Sequence, residues 1–311
     1  MSGNSTPHLQ TIALTILLVL IACTPTAPQT EAASVPMTDS LGREVRLHAP
    51  AQRIVSLAAS TTEILFAIGA GDRVVGRDEY SDYPPEALKV ESIGSMYPHV
   101  NTEVVIALEP DLVLAAGINS LDDVTALSDL GLTIYATSFA RTIEDIYGDI
   151  MAIGTLTGEE VAATRVVEDM KARVAVVTDA TAALAERPVV FYEIDATDPA
   201  RPWTAGPGSF IDLLILMAGG ENAGAASDES YWQISLEELV NTDPQVVVLG
   251  SSTFGGQTPE LVAERPGWKG ISAVRNGSVH EFDDNLVSRP GPRILEGLES
   301  LARLIHPELF E

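Results

Sequence analysis

The chain has 311 residues, 44 acidic against 18 basic, for a formal net charge of −26. Its 46% hydrophobic content is that of a packed globular protein and excludes wholesale disorder, while so negative a field excludes a nucleic-acid partner. The single cysteine, Cys23, excludes an internal disulfide and a cysteine-based zinc cluster.

In chain order, residues 1–30 carry no Asp, Glu, Lys or Arg. Ile12–Ala22 is an apolar run broken only by Thr15. A bilayer span needs about 20 apolar residues, so this run has the length of a signal-peptide core. It ends Leu20-Ile21-Ala22-Cys23, which resembles the bacterial lipobox, in which the cysteine receives the lipid. A lipoprotein leader is therefore expected over 1–22, lipidation at Cys23 and a polar tether over 23–36. Against the pattern, the segment before the run has no Lys or Arg.

Val35–Thr38 and Glu44–Leu47 flank Asp39-Ser40-Leu41-Gly42 as a small hairpin. Arg53–Leu57 reads as a buried strand. Ser60-Thr61-Thr62-Glu63 reads as a capping box for a helix that stops at Gly69-Ala70-Gly71. The alternation continues with Arg73–Gly76 extended, Thr102–Leu108 helical, Leu112–Ala115 extended, Leu121–Leu130 helical and Leu132–Ala136 extended. This is α/β patterning with a largely parallel sheet, assigned to an N-terminal lobe over 37–157.

Glu159–Arg187 contains no Gly or Pro, and its apolar residues Val167, Met170, Val174, Val177 and Leu184 follow the spacing of one helical face. The spacing predicts a strut over 158–187, roughly 43 Å long at 1.5 Å per residue, that would permit only small hinge motion. After it the pattern restarts in a C-terminal lobe over 188–311. Pro188–Ile194, Val246–Leu249 and Val279–Phe282 are predicted strands; Phe210–Met217, Leu236–Val240 and Arg293–Ile305 are predicted helices. The halves echo each other, with Glu103 to Pro110 and then Leu-Val-Leu in one and Glu237 to Pro244 and then Val-Val-Val in the other. The expected architecture is α/β, two Rossmann-like lobes joined by one long rigid helix, with a ligand cleft between them.

The segment RIVSLAASTTEILFAIGAGDRVVGRDEYSDYPPEA at Arg53–Ala87 and ALEPDLVLAAG at Ala107–Gly117, followed by Gly219–Asn222, Trp232–Glu237 and Arg289–Arg293, resembles the class III substrate-binding proteins of ABC importers, the iron-siderophore and cobalamin binding family. The resemblance runs from about Val35 to the C-terminus and implies two α/β lobes joined by a helix. It also implies a non-enzymatic receptor, monomeric, that delivers a metal chelate to a permease dimer and its ATPase, with no cofactor or metal of its own. Matched to the cobalamin binders, it implies ligand contacts at Tyr80, Trp203, the Tyr231-Trp232 pair, Asn285 and Arg289. Flat aromatic side chains suit a broad chelate face because they supply area with few rotors to freeze. Where some cobalamin binders carry tryptophans, this chain has Ser95-Met96-Tyr97 and Ala116. Met96, Tyr97 and His99 form a loop able to meet haem iron, and Arg77, Arg201 and Arg289 would suit an anionic siderophore. The family also implies one docking glutamate per lobe, and Glu103 and Glu237 hold those places. Two equivalent carboxylates suit a partner with two-fold symmetry.

The same bilobal fold also hosts chelatase-like enzymes and sensor domains. Against an enzyme, His48, His99, His280 and His306 lack zinc-site spacing, and Gly206-Pro207-Gly208-Ser209 lacks the lysine of a phosphate loop.

Overall fold

The computed structural model describes residues 1–3 and 36–310. Residues 4–22 of the expected leader, the lipidation site Cys23 and the tether up to residue 35 lie outside the described residues. No helix among the described residues is long and apolar enough to cross a membrane.

The predicted hairpin is present as β1 (Met37–Thr38) paired antiparallel with β2 (Glu44–Val45). Asp39 closes its turn, accepting from the Leu41 and Arg43 amides at 3.0 and 2.9 Å. The first lobe is built from β3 (Ile54–Ser56), α1 (Ala59–Ala67), β4 (Val74–Arg77), α2 (Thr102–Ala107), β5 (Leu112–Ala115), α3 (Leu121–Asp129) and β6 (Ile134–Ala136). Its four strands lie in the order β4-β3-β5-β6, all parallel. Every residue of β3, β5 and β6 is buried, as continuous apolar runs covered on both faces must be.

Two helices follow, α4 (Ile143–Thr157) and α5 (Glu160–Thr181). The apolar periodicity had not singled out α4. It opens with a capping box in which Thr142 accepts from the Asp145 amide while Asp145 accepts from the Thr142 amide. It closes at Gly158, φ +74°. The helix expected over 158–187 is α5, 22 residues rather than 30, or roughly 33 Å. Absence of Gly and Pro permits a helix without obliging one. At its end the Thr181 hydroxyl donates to the Met217 carbonyl at 3.0 Å, and the chain turns toward the next strand. Ion pairs tie α5 to both sides: Glu159, just before it, to Arg73 at 2.5 Å, and Arg173 to Glu299 at 2.8 Å.

The second lobe comprises β7 (Val189–Asp195), β8 (Trp203–Ala205), α6 (Phe210–Met217), β9 (Glu221–Asn222), β10 (Tyr231–Gln233), α7 (Leu236–Thr242), β11 (Val246–Leu249), α8 (Ser251–Gly255), α9 (Pro259–Glu264), α10 (Ser272–Asn276), β12 (Val279–Glu281), α11 (Asn285–Ser288) and α12 (Ile294–Ile305). Its six-stranded sheet runs β10-β8-β7-β11-β12, with β9 also beside β7. β7, β9, β11 and β12 are parallel; β8 runs antiparallel to β7, and β10 runs antiparallel to β8. One apolar core joins residues from both sheets with α4, α5, α6 and α12, and each lobe has a smaller core on the other face of its sheet.

The repeat is deeper in the structure than in the sequence. Glu109 and Asp243, each preceding its proline, both adopt positive φ, 47° and 48°. Two residues on, Asp111 and Gln245 each bind the start of their lobe's first strand, donating to Arg53 and Val189 carbonyls at 2.9 Å. Their side chains accept the returning amides, Gln52 and Arg53 in one lobe and Val189 in the other.

One local expectation is corrected. Ser60 and Glu63 form no capping box: α1 begins at Ala59 after an extended Ala58, without a side-chain cap. Residues 60–63 are all buried. Thr61 donates to the Ala58 carbonyl, Thr62 to Ser56, and Glu63 reaches across to the second lobe.

Candidate functional site: a cleft between the lobes

A cavity of about 300 Å³ lies between the lobes, lined by residues of both. Its walls come from the C-terminal ends of parallel strands, where open α/β sheets bind ligands. β3 leads to Ser60, β5 to Gly117 and Ile118, β6 to Ser138 and Phe139, β7 to Ile194, and the segment after β12 to Asp284 and Arg289. Ile118 and Phe139 are large apolar side chains left 71% and 58% exposed, so the first lobe offers the cleft an uncovered apolar wall.

Local structure fixes these side chains. The Ser138 amide and hydroxyl both donate to half-buried Asp149 of α4, at 3.1 and 2.7 Å. Burial pushes the Asp149 carboxyl up, opposed by these bonds. The same burial, with the Asp149 and Asp39 charges, pushes the Tyr135 phenol up to about 12. Gly117 lets two loops meet, since a Cβ there would fall 2.5 Å from the Phe139 Cα. The α4 cap holds the Arg141 amide to Asp145 at 2.9 Å, setting Arg141 on the cavity wall. On the other side, Ser209 caps α6 by accepting from the Asp212 amide at 3.1 Å. Tyr192, fully buried, donates its phenol to Asp284 at 2.8 Å. Burial pushes the Asp284 carboxyl up, opposed first by that bond, and burial followed by the Asp284 charge pushes the Tyr231 phenol up.

A charged cluster joins the lobes beside the cavity. Glu63 accepts two bonds from Arg293, at 2.7 and 3.0 Å, and lies 3.6 Å from Arg289. Arg289 also pairs with Asp82 at 2.5 Å, and the Arg293 guanidinium stacks on Tyr83 at 3.8 Å. Burial pushes the Glu63 carboxyl up, and the two guanidiniums oppose it.

Of the anticipated contacts, Tyr231 and Arg289 line the cavity. Trp203 shares the Tyr231 face of the antiparallel β8–β10 pair, since it sits opposite Gln233, and is 42% exposed outside the cavity lining. Trp232 is corrected: strand alternation turns it to the opposite face, where it packs on the second lobe's core and donates to the Gly224 carbonyl at 3.0 Å. Tyr80 is exposed in the loop that brings Asp82 to Arg289 and does not line the cavity. Asn285 opens α11 and turns back to Asp283 at 2.8 Å. Met96 packs against the first lobe's smaller core, Tyr97 stands exposed, and His99 meets Asp123 at 3.2 Å; none lines the cavity. Arg77 is corrected as well: it is buried, donating to the Ala87 and Asp78 carbonyls at 2.9 Å. Arg201 is exposed outside the cavity.

Ile118, Phe139, Arg141 and Asp284 are cavity residues that sequence reasoning missed. Their common signal is position just past a strand's C-terminal end. Glu103 and Glu237 are both exposed in the first turns of α2 and α7, and among the described residues neither carboxylate has an ion-pair or hydrogen-bond partner. On α7 the capping duty falls to Glu238, which accepts from Ser235 at 2.8 Å. Among the described residues no three His, Cys, Asp or Glu side chains group as a metal site.

Comparisons with known proteins agree with this fold. The periplasmic binding protein pattern matches residues 54–286. The chain is 35% identical over 289 residues to YvrC of Bacillus subtilis, an uncharacterized ABC transporter substrate-binding lipoprotein, covering 91% of this chain and 89% of that one. It is 32% identical to a cobalamin-binding protein of Halobacterium salinarum, covering 94% and 84%. In structure it is similar to the periplasmic vitamin B12 binding protein BtuF of Vibrio cholerae, with a TM-score of 0.71 and 28% identity over 83% of this chain and 98% of that one. By pattern, identity and fold, the chain belongs to the periplasmic binding protein family.

Proposed function

We propose that this chain is the extracytoplasmic receptor of an ABC importer, that it captures a corrinoid between its lobes, and that it catalyses no reaction. The observation that carries the reading is the interlobe cavity with an uncovered apolar wall, Phe139 and Ile118 facing Tyr231 across it. Such a wall suits the face of a macrocyclic chelate, and the serine hydroxyls, Arg141 and Asp284 around it suit polar edge groups. At about 300 Å³ the cavity lies at the small end for drug-sized ligands, so a corrinoid would lie as a slab with its rim projecting through the mouth. The similarity to two cobalamin-binding proteins supports this ligand over ferric siderophores or haem. Met96, Tyr97 and His99 all lie off the cavity, which disfavours the haem alternative that rested on them.

In this reading a lipid on Cys23 tethers the receptor to the membrane, and Glu103 and Glu237 present the loaded lobes to arginines of a dimeric permease. Absorbance titration of the full chain with cyanocobalamin, haemin and a ferric hydroxamate siderophore tests it. Cyanocobalamin should bind, and Phe139→Ala and Tyr231→Ala should each weaken it about tenfold. Preference for haemin would overturn the corrinoid assignment, and binding of none would overturn the chelate reading.

A further inference from the structure

We propose that each docking helix presents an apolar side chain beside its carboxylate, Ile106 with Glu103 and Val240 with Glu237, and that these two residues seat in equivalent apolar hollows of the two-fold permease. The inference rests on the receptor reading above and deepens it, adding a contact that carboxylates alone do not make.

Each pair is spaced i, i+3 on its helix, so the two side chains share a face. Ile106 is 41% and Val240 37% exposed. The residues just before them, Val105 and Leu239, are 0% exposed and supply the helix's anchor to its own lobe. The lobes therefore do not need Ile106 or Val240 for packing. A single exposed aliphatic residue is ordinary on any protein surface. These two stand at the same place in a repeated unit whose equivalence is fixed independently, by Glu109 and Asp243 at matching positive φ and by the matching strand ties of Asp111 and Gln245.

The remaining exposed positions of the two helices do not repeat chemically: Ala107 corresponds to Asn241, and exposed Glu238 corresponds to half-buried Val104. What repeats outward is one free carboxylate and one aliphatic group per lobe. A partner complementary to both has two copies of a site that combines a cation with an apolar hollow, which a two-fold dimer supplies. The two contacts differ in physics. An exposed ion pair is screened by salt, with a Debye length of about 3 Å at 1 M, whereas apolar burial is not weakened. The apolar pair thus holds docking at ionic strengths that silence the carboxylates, within the arrangement of central apolar contact and polar surround common to interfaces.

The test is docking of the full chain to the permease–ATPase complex of an ABC importer from the same genome, held in nanodiscs, at about 0.05 M and about 1 M salt. Ile106→Ser with Val240→Ser should lose about tenfold or more in affinity at both salts, with an unchanged melting temperature. Ile106→Leu with Val240→Leu should recover most of it. Glu103→Gln with Glu237→Gln should lose affinity chiefly at low salt. If the glutamine pair weakens docking and the serine pair stays within twofold, the apolar contact is overturned and the receptor reading stands. If the unaltered chain docks and neither pair matters, both helices are overturned as the docking surface and this inference fails with them; if the unaltered chain does not dock, the receptor reading itself fails.

Discussion

Among the described residues each lobe buries one glutamate, and the two are finished differently. In the second lobe Glu193 of β7 is fully buried and takes two bonds from Arg265, at 2.5 and 2.9 Å. Arg265 stacks on Trp268 at 4.5 Å and also reaches Gln257. In the first lobe Glu63 of α1 is likewise buried and doubly bonded to an arginine stacked on an aromatic ring, but Arg293 and Arg289 belong to the second lobe. The same arrangement of carboxylate, guanidinium and ring serves as an internal brace in one lobe and as a bridge between lobes in the other. The difference teaches that burial of an ion pair does not by itself say what it holds together. The bridging pair also touches the cavity through Arg289, whereas neither partner of the internal pair lines it.

Breaking each pair separates the two roles. Arg265→Ala strips Glu193 of its cationic partner in a site closed to water, and removing one member of a buried pair costs about 3–5 kcal/mol. Urea unfolding should show that loss, while cyanocobalamin affinity of the folded fraction stays near that of the unaltered chain. Glu63→Ala should cost less, about 2–3 kcal/mol. The side chains it abandons keep 13% and 10% exposure, and Arg289 retains Asp82. Unlike Arg265→Ala, it should weaken ligand binding, because the lobes lose their bridge beside the cavity. Equal ligand affinities for the two variants would remove the distinction between brace and bridge.

What sequence could and could not reveal follows the same division between local and distant. Leu112–Ala115 and Val246–Leu249 are bounded apolar runs, and both are strands over those residues. The Gly69 stop and the echo around Pro110 and Pro244 are equally local signals. Glu63 was misread because Ser60-Thr61-Thr62-Glu63 satisfies a local rule while its real partner lies 230 residues on. Trp232 was misplaced although the alternation of a strand already requires that it and Tyr231 face opposite ways. Helix α4 does carry a local signal, the Thr142 and Asp145 cap, although it lies outside the Gly- and Pro-free stretch whose periodicity predicts the strut. Phe139 and Ile118 are marked only as residues just past strand ends; that their two loops converge is a property of the sheet order β3-β5-β6, which the sequence does not print.

The lobes also differ in how a glycine follows an inner strand of each sheet. After β5, Gly117 backs onto the Phe139 main chain, whereas after β11 a Cβ on Gly250 would stand 2.5 Å from the Tyr192 phenol oxygen. Main chain cannot swing aside. Gly117→Ala should therefore push the Phe139 loop, costing about 1–3 kcal/mol, and should weaken cyanocobalamin binding by moving the apolar wall. Gly250→Ala should press on the phenol that holds Asp284 and perturb the opposite wall. A Gly117→Ala variant with unchanged affinity would show that Phe139 does not shape the site.

The smallest expected effect tests the outer half of the bridge. Asp82 is held below the usual carboxylate range: partial burial is the largest single influence and works against ionisation, but the Arg289 hydrogen bond and charge together outweigh it. A carboxyl depressed in the folded state adds stability that is present above its unfolded value, about 3.9, and is lost as pH falls through the folded value. Glu63, pushed the other way by burial, contributes no such acid loss. Because the Asp82 side chain is 53% exposed, solvent screens the pair and its worth is about 0–1 kcal/mol. Asp82→Asn should thus lower the urea midpoint slightly at neutral pH and flatten the fall in stability below about pH 4. Added salt of about 1 M should shrink the difference between variant and unaltered chain. A variant that instead loses as much stability as Glu63→Ala would make Asp82, not Glu63, the main tie between the lobes, and would place the bridge on the exposed loop rather than on α1.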